Sequence, residues 1–168
     1  QKPVPSLSLN KLICGVGVSL HNGGDILCYS RTLDGYHSLC QWLSAAMMRS
    51  GHNNRALPDM HISDLGRLSS DVIVITLPPV LADTDYREQA RTIRLFAPGD
   101  VYVGGYLMRD GCDEERLYRL SQEAAADNLG FVALGHVLYH RPDRRPLADM
   151  LSCIRHKTSL PEAGQLLS

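Results

Sequence analysis

The chain reads as an α/β fold with a parallel sheet, and three features of the sequence say so. Asp71 to Leu77, DVIVITL, is an unbroken apolar run, the mark of a strand covered on both faces. From that run onward the pattern is strand, helix, strand, helix, strand, helix, which calls for right-handed crossovers between parallel strands. Phe131 to His156, FVALGHVLYHRPDRRPLADMLSCIRH, then sets an apolar strand end directly before a polar, basic turn. Polar groups at the carboxyl end of a strand are where α/β folds usually hold ligands.

Composition bounds the rest. At 168 residues one domain is expected, spanning 1–168 with no internal boundary. The apolar fraction of 44% is ordinary for a globular protein, and a net charge of −1 weakens independent DNA binding. No apolar run approaches the ~20 residues that cross a bilayer. The start, QKPVPSLSLNK, lacks both an initiator Met and the basic-then-apolar order of a signal peptide, so the chain is read as a cytoplasmic piece of something longer. Cys14, Cys28, Cys40, Cys112 and Cys153 include no C-x-x-C pair. They are expected to be reduced thiols, mostly small core residues.

In chain order, Lys11 to Leu20 and Asp25 to Ser30 read as two strands of a hairpin, with Asn22-Gly23 supplying the turn. Asp34 is placed to cap a helix to Ser50, with Tyr36, Leu39, Leu43, Ala46 and Met47 on the buried face. Gly51 stops that helix, and residues 52–70 are polar and turn-rich, with a helical turn at Ser63 to Leu68. After the Asp71 strand, Thr84 to Phe96 is helical, turning Tyr86, Ala90, Ile93 and Leu95 inward, and Pro98-Gly99 ends it. Asp100 to Leu107 is a strand whose Gly104-Gly105 marks a bulge or a close approach. Asp113 to Asn128 is a helix with Leu117, Leu120 and Ala124 on one face. Phe131 to Val137 is the next strand, with Val132, Ala133 and Leu134 at its buried end. Pro146 suits the first turn of a helix to Arg155 or His156, and Ser159 to Glu162 has the spacing of a capping box.

Chemistry concentrates after the last strand. His136 and His140 are four apart, a metal-ligand spacing on a helix, but Pro142 argues against a helix there. Asp143 is the nearest carboxylate, and surface histidines are the bland alternative. His21, His37, His52, His61 and His156 show no ligand spacing and read as solvated residues. Arg141, Arg144, Arg145, Arg155 and Lys157 form a basic stretch that suits phosphate, nucleic acid or an acidic neighbouring domain. Gly15-Val16-Gly17 and Gly104-Gly105 fit neither a P-loop nor a dinucleotide fingerprint, and there is no serine nucleophile elbow.

Two segments together resemble one family. LICGVGVSLHNGGDILCYSRTLDGYHSLCQWLS is similar to the part of the PHP (polymerase and histidinol phosphatase) domain where a "GxE" strand leads through a hairpin to a "GYxNLxxL" helix, with Gly35, Tyr36 and Leu39 in register. ALGHVLYHRPDRRPLADMLSCIRHKTSLPEAG resembles "GDVHxHxxxRRxLxDxLxxIRxxTxxxEAG", most like the error-prone branch of bacterial DNA polymerase III alpha subunits. Arg144, Arg145, Leu147, Asp149, Leu151, Ile154, Arg155, Thr158, Glu162 and Gly164 match in order.

The resemblance implies a (β/α)7 barrel, here incomplete at its N-terminus. Active family members hold zinc or manganese at the carboxyl ends of the strands and hydrolyse phosphoesters. At those positions this sequence has Gly17 for a glutamate, Tyr106 for a histidine, His136 for an aspartate and Leu138 for a histidine, while His140 is retained. No catalytic residue, metal ligand or cofactor is therefore expected in this chain, and the chain alone is expected to be inactive. The reading that follows is a non-catalytic scaffold for a polymerase core lying beyond Ser168, with that core in cis or other polymerase subunits as partners and DNA met through the parent polymerase. Arg144, Arg145 and Arg155 are its interface or phosphate contacts. Two alternatives stay open: a metal phosphoesterase rebuilt around His136 and His140, and a stand-alone interaction module using the basic C-terminal surface.

Overall fold

A computed structural model of the chain describes residues 12–21, 24–50, 60–78, 86–107, 111–135, 137 and 139–164. The chain forms two compact units, Gln1–Leu134 and Gly135–Ser168, each with its own packing.

In the first unit a five-stranded sheet has the order β1 (Gly15–Leu20), β2 (Gly24–Ser30), β3 (Val72–Thr76), β4 (Val101–Gly105) and β5 (Gly130–Ala133). β1 and β2 pair antiparallel, as do β2 and β3, while β3, β4 and β5 run parallel. The hairpin and the parallel half both match the sequence reading. The proposed turn at Asn22-Gly23 lies outside the described residues. The described sheet is open, with β1 and β5 at its two edges.

Helices α1 (Leu33–Arg49), α2 (Tyr86–Phe96) and α3 (Asp113–Ala126) supply the core. Val18, Ile26, Cys28, Val72, Val74, Val101 and Val103 alternate onto one sheet face and bury against Leu39, Trp42, Ala46, Ala90, Ile93, Leu120 and Ala124. Residues of alternate parity face the other way. A straight row of them crosses all five strands: Gly17, Leu27, Ile75, Tyr102 and Gly130 are successive register partners. Both edge strands carry glycine opposite tyrosine. A Cβ on Gly15 would lie 2.3 Å from Tyr29 Cδ1, and one on Gly130 2.4 Å from Tyr102 Cδ1. The two rings roof the bare backbone of the neighbouring strand, a pairing that supports glycine at sheet edges.

Several details depart from the sequence reading. Thr32, not Asp34, caps α1: its hydroxyl accepts from Gly35 N–H at 3.1 Å and donates to Asp71 Oδ2 at 2.8 Å. Gly35 sits 2.8 Å (as a notional Cβ) from Asp71 O. That close approach turns the buried stripe onto Gly35, Leu39, Trp42 and Ala46, leaving Tyr36 and Met47 exposed. Trp42 then donates its indole N–H to Asp64 O at 3.0 Å. The turn near Ser63 is a 3-10 helix, Ile62–Arg67. In α2, Ala90 and Ile93 are buried but Leu95 is 84% exposed, because it falls off their face. The proposed start of this helix at Thr84 lies outside the described residues, as does Lys11. β5 ends at Ala133 and is an edge strand, so Ala133 is exposed and Val132 and Leu134 only half-buried. The close approach at Gly104-Gly105 holds: added Cβ atoms would lie 2.5 Å from Leu134 Cδ1 and 2.4 Å from Phe131 Cζ.

The second unit holds a 3-10 turn (Pro142–Arg144), α4 (Arg145–His156) and α5 (Leu160–Ala163). Pro146 sits in the first turn of α4 as expected. Lys157, with φ at +53°, ends that helix in the left-handed region, and its N–H returns to Ile154 O at 3.3 Å. Cys153 and Ala163 are buried, whereas Leu147, Met150, Leu151 and Ile154 form an exposed apolar stripe along α4. The capping box at Ser159 is not made through the backbone: Ser159 Oγ donates to Glu162 Oε2 at 2.7 Å instead.

Candidate functional site

Strand direction decides where to look. β1 is antiparallel to β2 and β2 to β3, so β1 runs with β3, β4 and β5. Four carboxyl ends therefore share one end of the sheet, the position that binds ligands in α/β folds.

The side chains there are held by one another. Ser19 Oγ donates to Asp25 Oδ1 at 2.5 Å across the hairpin. Tyr106, just past β4, donates its hydroxyl to Pro78 O at 3.2 Å. Its phenol is pushed above the usual range by burial; the Arg116 guanidinium opposes this and the Asp25 carboxylate adds to it. Arg116 is itself ion-paired with Asp113, both side chains being largely buried at 14% and 18% exposure. Tyr86 and Thr76 share a hydroxyl–hydroxyl hydrogen bond, and Tyr86 also donates to Thr76 O at 3.1 Å. Burial raises the Tyr86 phenol, with the Thr76 hydrogen bond opposing. Phenols held protonated are poor general bases at neutral pH. The arrangement offers hydrogen bonds and a guanidinium already paired, not a convergent set of metal ligands. Among the described residues no three His, Cys, Asp or Glu side chains come together in a way that holds a metal.

The residues singled out in the sequence are distributed as follows. Gly17 lies in β1 on the sheet face opposite the helices, where it contributes no side chain. His136 and Leu138 lie outside the described residues. His140 is exposed in the bend before the Pro142 turn. Arg144 and Arg145 stand together at the start of α4, and Arg145 Nε lies 3.8 Å from Asp149 Oδ2. Arg155 is in the last turn of the same helix. At 1.5 Å per residue its backbone is about 15 Å from that of Arg145, so the three arginines form two basic ends rather than one cluster. Arg155 and His156 suit the negative end of the helix dipole, which gives them a local role as well. Arg141 pairs with Asp143 at 3.2 Å.

Two groupings escaped the sequence reading. The Ser19, Asp25, Tyr106 and Arg116 set is assembled from four separate segments, with no local spacing to betray it. His21 and His61 meet with ring centres 4.9 Å apart. Neither spacing nor neighbours in sequence point to that pair.

No family model matches the chain. Among curated proteins it is similar to the error-prone DNA polymerase of Brucella abortus, 30% identical over 158 residues, and to that of Rhodopseudomonas palustris, 33% identical over 165 residues. It is likewise similar to error-prone DNA polymerase 2 of Agrobacterium fabrum, 31% identical over 154 residues. These matches cover 92–94% of this chain and 14% of each relative. The chain thus spans about 14% of the length of the curated relatives it matches.

Proposed function

We propose that the chain is a non-catalytic, PHP-like portion of an error-prone, alpha-type DNA polymerase, serving as a scaffold for the polymerase core in DNA replication or lesion-bypass synthesis. The carrying observation is that nearly all of this chain, and 14% of each relative, is shared with error-prone DNA polymerases.

Two features of the fold support it. Helices cover one face of an open sheet, while Leu27, Ile73, Tyr102, Val132 and Leu134 are half-buried on the other. An apolar sheet face left partly bare is what an incomplete barrel presents to the strands that complete it. Gly17 within β1 and Tyr106 just past β4, in turn, stand where the resembling family has metal ligands. A phosphate-bridging cluster needs several converging carboxylates and imidazoles. Arg144, Arg145, Arg155 and the Leu147 to Ile154 stripe give the second unit an apolar surface with basic ends, suited to a polymerase core in cis or to other polymerase subunits.

The test pairs sedimentation and dye binding with a phosphoester assay on the untagged chain. The expected result is binding of an apolar dye, self-association, and no hydrolysis with Mn2+ or Zn2+. A compact, dye-silent monomer would overturn the partial barrel. Hydrolysis abolished by His140→Ala would overturn the non-catalytic assignment and favour a rebuilt phosphoesterase.

A further inference from the structure

β1 delivers His21 to the tip of the sheet, just past Leu20, which is buried. His61 precedes the 3-10 helix, between the fully buried Met60 and the helix that carries the fully buried Leu65. The backbones are tied: His21 N–H donates to Met60 O at 2.8 Å, and the two histidines form a parallel bridge. Asp64 Oδ2 accepts from His61 N–H at 3.1 Å and is itself held by Arg49 Nη2 at 2.6 Å. Both histidines are thus fixed by buried anchors and backbone bonds, the His61 side chain joins a capping box with the Asp64 backbone, and both residues are exposed.

The ring separation has a second meaning besides stacking. An imidazole nitrogen sits about 2.0–2.1 Å from a zinc ion, and its ring centre roughly 1.1 Å farther. Two rings on one ion, with a nitrogen–metal–nitrogen angle of about 90–110°, then have centres about 4.5–5.2 Å apart. The observed 4.9 Å falls inside that interval. Two nitrogen donors, beside an Asp64 carboxylate already engaged by His61 N–H and Arg49, select borderline ions, zinc, nickel or copper, over magnesium or manganese.

We propose that His21 and His61 form a two-imidazole site for a borderline divalent cation, which fastens the tip of β1 to the segment entering the 3-10 helix. Water fills the remaining positions. The site is a fastening between two segments of the first unit.

Zinc titration of the untagged full chain against a chromophoric chelator tests this. Zinc and nickel are expected to bind, manganese not, and zinc to raise the melting temperature. His21→Gln and His61→Gln should each weaken zinc roughly tenfold or more, at least what loss of an outer-shell partner costs. His140→Ala should leave that affinity unchanged. In the unsubstituted chain, sub-stoichiometric Ni2+ should broaden the His21 and His61 ring signals before that of His140, a readout independent of any variant. Zinc binding retained by both glutamine variants, or absent from the unsubstituted chain, would overturn the site.

Discussion

Gly99→Ala tests the packing of the parallel half directly. Gly99 is buried between α2 and β4, and a Cβ there would lie 2.2 Å from Val72 O and 2.9 Å from Ser70 O. A carbon normally meets a carbonyl oxygen no closer than about 3.3 Å. Roughly 1 Å of overlap must therefore be relieved, and both obstacles are backbone. The movement falls on the β3–β4 junction, where Val74 N–H donates to Asp100 O at 3.0 Å. Overpacking costs about 1–3 kcal/mol, and an orphaned buried amide about 1–3 kcal/mol more. A loss of about 3 kcal/mol is expected, or ~6–12 °C in melting temperature for a chain of this size. Gly66→Ala is the control. Its nearest neighbour is Phe96 O at 3.7 Å, an ordinary contact, so stability should stay within about 0.5 kcal/mol or rise slightly. Neither glycine has positive φ, so the contrast isolates room rather than backbone strain. Trp42, the single tryptophan, is 4% exposed and reports unfolding in urea by its fluorescence. A Gly99→Ala chain within 0.5 kcal/mol of the parent, or a Gly66→Ala chain that loses as much, would refute the reasoning.

Other substitutions probe the remaining contacts. Asp127 accepts from Arg87 Nε at 2.8 Å and Arg91 Nη2 at 2.7 Å, and those guanidinium hydrogen bonds hold its carboxyl well below the usual range. The unfolded chain therefore takes up this proton first, so the stabilisation is complete above the ordinary carboxylate pKa of about 3.9 and is lost as pH falls below it. Urea midpoints should drop on acidification, and Asp127→Asn should shallow that slope; an unchanged slope would remove Asp127 from the acid limb. Burial pushes the Cys28 thiol up to about 12, while Cys112 is exposed. A thiol reagent should label Cys112 in the native chain and Cys28 only after unfolding, and native labelling of Cys28 would contradict its burial. Ile26 is fully buried, so Ile26→Ala should cost about 2–5 kcal/mol by urea unfolding.

Much of the fold was legible because it rests on periodicity. The β3 run, the α3 face of Leu120 and Ala124, and Pro146 at the start of α4 are all set by local pattern. Errors arose where a distant partner decides. Thr32 outcompetes Asp34 as the cap because Asp71, far along the chain, receives its hydroxyl. The α1 stripe turns toward Trp42 because Gly35 lets the helix close on the Asp71 backbone. Leu95 is apolar like Ile93 but 84% exposed, since residues two apart on a helix face different ways. For the candidate site, Gly17 and Tyr106 are singled out only by the family resemblance, not by local pattern. The pairing of His21 with His61 depends on the tertiary placement of the 3-10 helix and has no one-dimensional signature.

The second face of the sheet joins the fold to the proposed role. Its central row places Leu27, Ile75 and Tyr102 between Gly17 and Gly130, and Ile75 is 7% exposed. Apolar side chains in the middle and glycines at the rims, Gly17 beside Leu27 and Gly130 beneath Tyr102, are packing groups. They supply no charge, acid or base. A face that did phosphoester chemistry would need carboxylates and imidazoles projecting from the same rows. The apolar row is suited to being covered by more protein. Among the described residues β1 and β5 are the sheet's edges, and strand edges in a stable protein are paired, covered or guarded by charge.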